Sequence, residues 1–174
     1  MLSIKRWKVP LLGAFLTLLA GGLSSLLAFP ALQQFNHLLK PSASPPAFLF
    51  PIVWTFLYLL IGGAAGLIFE ENSSYCSFSL RLYLVQLIVN ILWPLWFFTF
   101  GFYLVAFLWL LILWILAFIT MILFFREYFI SGLLFVPYFL WITFAGYLNF
   151  GVWLLNNWIC IDIYIRLYYN DTIE

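Results

Sequence analysis

The chain is short of charge. Among its 174 residues there are seven Lys and Arg, six Asp and Glu, and a single histidine, His37. A soluble domain of this length needs far more polar surface than that to cover a core, so a water-soluble globular protein is excluded. A nucleic-acid partner is excluded as well, because the net charge is only +1 and the basic residues form no patch. Cysteine is scarce: Cys76 and Cys160 make neither a disulfide framework nor a metal motif. His37 has no second ligand beside it, so no metal site is expected. No nucleophile–base pair, carboxylate pair or metal cluster stands out, so no catalytic constellation is seen and the reading leans away from an enzyme. Fixed-period repeats and the two-half symmetry of many transporters are missing too.

Apolar residues are abundant instead, at 67% of the chain, with aromatics at 23%. Phe48 to Phe69 runs 22 residues without a charge, roughly 33 Å of helix and enough to cross a hydrocarbon core. Pro45 and Pro46 stand before it, where rigid residues lacking an N–H suit a helix entrance. Trp54, Thr55 and Tyr58 bring rings and hydroxyls into this span, and Gly62 and Gly66 form a G-x-x-x-G spacing that admits a second helix closely. The stretch reads either as a packing helix or as one wall of an intramembrane site.

Four further spans follow from the same pattern. They cover about 9–29, 82–100, 102–125 and 129–155, which makes an all-α integral membrane protein, a five-transmembrane-helix bundle over residues 1–157. The basic run Lys5, Arg6, Lys8 before the first span also fits a signal peptide, but the apolar run is longer than a usual h-region. Gly21 and Ser25 offer a small-residue contact face on it. The fourth span is so uniformly apolar that it reads as the most lipid-exposed. Residues 31–47 form a long polar connection, either a lid or a disordered connector. Beyond 157 the chain becomes mixed, and 158–174 reads as a polar C-terminal tail, too short and too charged for a sixth span.

Polar residues inside the spans mark the interior. Gln86, Asn90, Trp93 and Phe97 stand at offsets of 0, 4, 7 and 11, within about 60° of one helix face. Tyr138, Trp141, Ala145 and Asn149 stand at 0, 3, 7 and 11, within about 80° of another. Lipid cannot satisfy an amide, so both faces are expected to look into the bundle, either to bond one another or to meet a ligand. Pro94 is expected to kink the third helix. With the N-terminus inside, five basic residues (Lys5, Arg6, Lys8, Arg81, Arg126) fall inside and two (Lys40, Arg166) outside. That split predicts a cytoplasmic N-terminus if the membrane is a bacterial inner membrane.

Several segments resemble the translocator protein family, also called tryptophan-rich sensory proteins (TspO/MBR) or peripheral benzodiazepine receptors. They are KPSASPP (40–46), VWTFLYLLIG (53–62), QLIVNILW (86–93) and PYFLWITFAGYLNFGVWLLN (137–156), in family order and spacing over about 25–156. The resemblance implies a five-helix bundle, often a homodimer, with a ligand pocket under the first loop. Ligands implied are porphyrin or haem, sterol-like molecules and aromatic amides, with no cofactor required. Carried over by position, the ligand-binding residues would be Trp54, Asn90, Tyr138, Trp141, Ala145 and Asn149. Pro45 and Pro46 would shape the lid. The chain departs from the family pattern at Gln34–Phe35, Ala47–Phe48 and Pro51–Ile52, and Phe150 and Leu154 stand where some members carry a sterol pattern. Helix three also lacks the small residues that many members use for dimer packing.

Three function classes follow. The first is a membrane protein that binds, and translocates or senses, tetrapyrroles or other flat apolar ligands. The second is a passive or coupled transporter; the confinement of every charge to span ends, loops and the tail argues against ion coupling. The third is a light-dependent porphyrin-degrading enzyme.

Overall fold

The computed structural model describes residues 7–28, 38–71 and 76–170, with side chains through 157. Among them are five helices: α1 (Lys8–Ala28), α2 (Leu49–Glu71), α3 (Cys76–Pro94), α4 (Tyr103–Glu127) and α5 (Phe129–Asn170). Each contains a stretch long and apolar enough to cross a membrane. The protein is thus an integral, multi-pass, five-helix membrane bundle. The helices close into a ring in the order α1–α2–α5–α4–α3 and back to α1.

Glycine sets the tightest seam. A Cβ on Gly62 would lie 2.5 Å from Gly13 O and 2.7 Å from Ala14 Cα, and one on Gly66 would lie 2.5 Å from Pro10 Cα. The G-x-x-x-G of α2 therefore receives α1, backbone against backbone, as small residues permit. On α1 the complementary residues are Gly13 and Gly21, the latter lying under the Tyr58 ring. Ser25, expected to share that face, is exposed, its hydroxyl turned back to Gly21 O at 3.2 Å.

Pro94 acts as its chemistry dictates. It has no N–H to give the Asn90 carbonyl, so the α-helical ladder cannot continue through it. The next turn, Leu95–Thr99, is π-helical and closes with Phe100 N–H donating to Leu95 O at 2.9 Å. Gly101, at φ +67°, supplies the left-handed residue that starts the return into α4.

Two helices run beyond the expected spans, and one expectation is corrected. The polar stretch before the third span is already helical from Cys76, whose thiol donates to Ile68 O at 3.3 Å. The fourth helix is not the most exposed: 9 of its 25 residues are exposed, against 10 of the 19 residues 8–26 in α1. The reason is position in the ring, since α4 is held on both sides by α3 and α5. The fifth helix continues past 157 to Asn170; no glycine or proline interrupts 152–170 to stop it.

Candidate functional site

The interior polar residues are too far apart along their helices to form one cluster, and they gather around two centres. In the first, the Tyr58 hydroxyl donates to Asn90 Oδ1 at 2.7 Å. Asn90 Nδ2 donates to the Tyr138 hydroxyl at 3.1 Å, which in turn donates to Gln86 Oε1 at 2.7 Å. One chain of hydrogen bonds thus crosses α2, α3 and α5. Gln86 and Tyr138 are wholly buried and Asn90 is 4% exposed. Trp54 lies against this chain, its ring 5.3 Å from Tyr58 and 6.3 Å from Tyr138 between centroids.

In the second centre, Trp93 Nε1 donates to both Asn149 Oδ1 and Ala106 O at 3.2 Å. Asn149 Nδ2 donates to Tyr103 O at 2.8 Å. The Trp93 ring stacks on Phe97 at 5.0 Å. Eleven residues separate Tyr138 from Asn149, about 16 Å along α5.

The structure therefore brings Trp54, Asn90 and Tyr138 together and places Asn149 apart from them. Trp141 and Ala145 lie between the centres on α5, both half-buried. Phe50, at the start of α2, meets Trp141 edge-on at 6.0 Å. Pro45 is half-buried and Pro46 exposed, just ahead of α2. Gln34 and His37, with the first part of the expected lid, lie outside the described residues.

Two buried donors lack a partner among the described residues: Gln86 Nε2 and Trp141 Nε1. Each belongs to the aromatic and amide wall just described. A buried donor left unsatisfied costs about 1–3 kcal/mol, so each of these two nitrogens would be stabilised by an acceptor oxygen. Gln86 was on the polar face that the third span displayed, but it is not among the residues that the family pattern carries over. What marks it out is the orphaned nitrogen, and that depends on Tyr138 taking its oxygen.

A separate groove of about 390 Å³ opens between α4 and α5, lined by residues that include Phe107, Leu110, Trp114, Thr143 and Gly146. Within it Trp114 Nε1 donates to Thr143 Oγ1 at 2.8 Å. None of the expected ligand-binding residues lines it. No group of three or more His, Cys, Asp or Glu able to hold a metal occurs among the described residues.

Comparison with known proteins agrees with this architecture. The TspO/MBR family model matches residues 13–154. Protein CrtK of Rhodobacter capsulatus is 41% identical over 126 residues, covering 70% of this chain and 78% of its own length. The tryptophan-rich protein TspO of Chlorobaculum tepidum is 36% identical over 129 residues, 73% of this chain and 82% of the relative. The translocator protein of Sus scrofa is 30% identical over 155 residues, 86% of each chain. With the match running from the first helix to the fifth, the chain belongs to the TspO/MBR family.

Proposed function

We propose that this protein captures a flat, largely apolar ligand of the porphyrin or haem class within its bundle, against Trp54, Tyr138 and Trp141. The observation that carries the reading is the pair of buried, unpartnered donors, Gln86 Nε2 and Trp141 Nε1, set in an aromatic wall. Rings supply stacking area and orientation. Unpaired N–H groups call for acceptor oxygens, such as the carboxylates or carbonyls that such ligands carry at their rim. Asn90 and Asn149 support the wall. Their amides are engaged by Tyr58, Tyr138, Trp93 and the Tyr103 carbonyl, so they orient the rings and need not touch the ligand. Family membership supports a sensory or transport role in a membrane, and ligand capture is the first step of either.

Quenching of tryptophan fluorescence during titration with protoporphyrin IX tests the proposal. Saturable quenching in wild type is expected. Trp141→Phe keeps an aromatic ring and removes the N–H, and should weaken binding about three- to tenfold, as loss of one hydrogen bond implies. Non-saturable quenching, or equal affinity in wild type, Trp141→Phe and Trp54→Ala, would refute the site.

A further inference from the structure

We propose that Gln86 selects the rim group of the ligand, and that the hydrogen-bond chain behind it is reversible, so that Gln86 presents either an N–H or a carbonyl oxygen to the site. Ser24 of α1, at the far end of the chain, is the positioning residue that makes the reversal possible. The chain is read from geometry alone; its part in selection rests on the ligand-binding reading above.

In the direction the structure shows, Tyr58 donates to Asn90, Asn90 to Tyr138, and Tyr138 to Gln86 Oε1. All the donors point toward Gln86, and its Nε2 is left open. Every link is a hydroxyl or a carboxamide. A hydroxyl exchanges its donor and acceptor roles by rotating its proton. A carboxamide does so by turning over, because its oxygen and nitrogen occupy almost the same space. The opposite direction therefore fits the same packing: Gln86 Nε2 donates to Tyr138, Tyr138 to Asn90 Oδ1, and Asn90 Nδ2 to Tyr58. Tyr58 then needs an acceptor of its own, and Ser24 supplies it. The Ser24 hydroxyl is 4% exposed and stands within hydrogen-bond reach of the Tyr58 hydroxyl. Its own proton goes to Ile91 O at 3.1 Å, so its oxygen can accept.

The two directions lie close in free energy. The one shown makes four bonds, Ser24 to Ile91 included, and leaves a donor open. The reverse makes five and leaves the Gln86 carbonyl open. One interhelical bond inside a membrane is worth about threefold in population, so neither direction is rare. Water does not override the balance, because Gln86 and Tyr138 are wholly buried and Asn90 and Tyr58 nearly so. A ligand acceptor at Gln86 adds a bond to the direction shown, and a ligand donor adds one to the reverse. Each ligand shifts the population toward the direction it completes. One residue thus serves flat apolar ligands with a carbonyl or carboxylate at the rim and those with an amine or other N–H there. A carboxamide fixed in one orientation would serve only one of these classes.

Two matched flat probes test this, acetylpyrene and aminopyrene substituted at the same ring position. The ketone only accepts, and the aryl amine chiefly donates. Energy transfer from tryptophan follows each titration. Wild type should bind both saturably, with Kd values within about tenfold of each other. Ser24→Ala removes the acceptor for Tyr58 in the reverse direction and strands a buried hydroxyl there. It should weaken aminopyrene about fivefold or more, while acetylpyrene moves less than about threefold. Ser25→Ala, one residue on and exposed, should change neither. Gln86→Leu should weaken both about three- to tenfold. Equal losses for the two probes in Ser24→Ala, or none, would overturn the reversal. So would a wild type that binds acetylpyrene and not aminopyrene, which would fix the chain in one direction. A ligand-free readout is the side-chain amide NMR signal of Gln86 in protein isotope-labelled at glutamine, assigned by its loss in Gln86→Leu. Ser24→Ala should shift that signal, or reduce a doubled signal to one, and Ser25→Ala should leave it in place. An unmoved signal in Ser24→Ala would overturn the reversal. If wild type binds neither probe, the ligand reading falls, and the NMR result still decides whether the chain reverses.

Discussion

Tyr138→Phe is the sharpest test of the buried network, because it deletes one oxygen and no ring. That oxygen accepts from Asn90 at 3.1 Å and donates to Gln86 at 2.7 Å. Its loss strips Gln86 of its hydrogen bond at Oε1, with Nε2 already unpartnered, and removes the acceptor for Asn90 Nδ2. Interhelical hydrogen bonds inside membranes average about 0.6 kcal/mol, so two bonds set a floor near 1.2 kcal/mol. Stranding a buried polar group costs about 1–3 kcal/mol, and two such groups set a ceiling of about 6 kcal/mol. Both groups lie at the centre of the bundle, 0% and 4% exposed, where water cannot reach them. A loss of about 2–4 kcal/mol, between those bounds, is therefore expected. Unfolding of the purified protein from mild detergent into SDS, followed by tryptophan fluorescence, measures it. The origin of the loss is checked by adding Gln86→Leu. That change removes the stranded amide and should return at least about 1 kcal/mol to the Tyr138→Phe background, although Gln86→Leu alone destabilises. A Tyr138→Phe protein within about 0.5 kcal/mol of wild type, or strict additivity of the two changes, would refute the reasoning.

At the α1–α2 seam, Gly62→Ala should cost about 1–3 kcal/mol in the same assay, because its Cβ would meet the Gly13 carbonyl and the Ala14 backbone rather than a movable side chain. Gly22→Ala, whose Cβ meets nothing within 4 Å, should be neutral or slightly stabilising. In the proposed site, Trp141→Ala should weaken porphyrin binding by about 1–3 kcal/mol, or roughly five- to two-hundred-fold, with Ala145→Phe blocking the same space and Gln34→Ala changing little. Quenching titrations of the three variants measure this, and a large loss confined to Gln34→Ala would move the site to the loop. For topology, cysteines placed at Ser3 and Asn170 should label from opposite sides, with Ser3 on the more basic one; labelling of both from one side would contradict five crossings.

The sequence by itself determined the membrane, the number of crossings and the family. Those follow from run length, charge scarcity and local motifs, none of which depends on how the helices are arranged. It also determined that Asn90 and Asn149 point inward, because an amide on a lipid-facing surface has no partner. What those amides bond to was not legible. Asn90 takes Tyr58 and Tyr138, 32 and 48 positions away, and Asn149 takes Trp93 and the Tyr103 carbonyl. Helical period orders residues along one helix and says nothing about which helix lies opposite, nor about a backbone carbonyl left free for a side chain. The same limit separates Gly21, which meets Tyr58, from Ser25, which turns out to solvent or lipid four residues later. It also hid α1 as the most exposed helix, since hydropathy reports how apolar a helix is, while its neighbours in the ring decide how much of it is covered. Only the tertiary structure could pair Asn156 with Leu39 across 117 residues, because the partner there is the main chain, which every residue possesses and no sequence pattern marks.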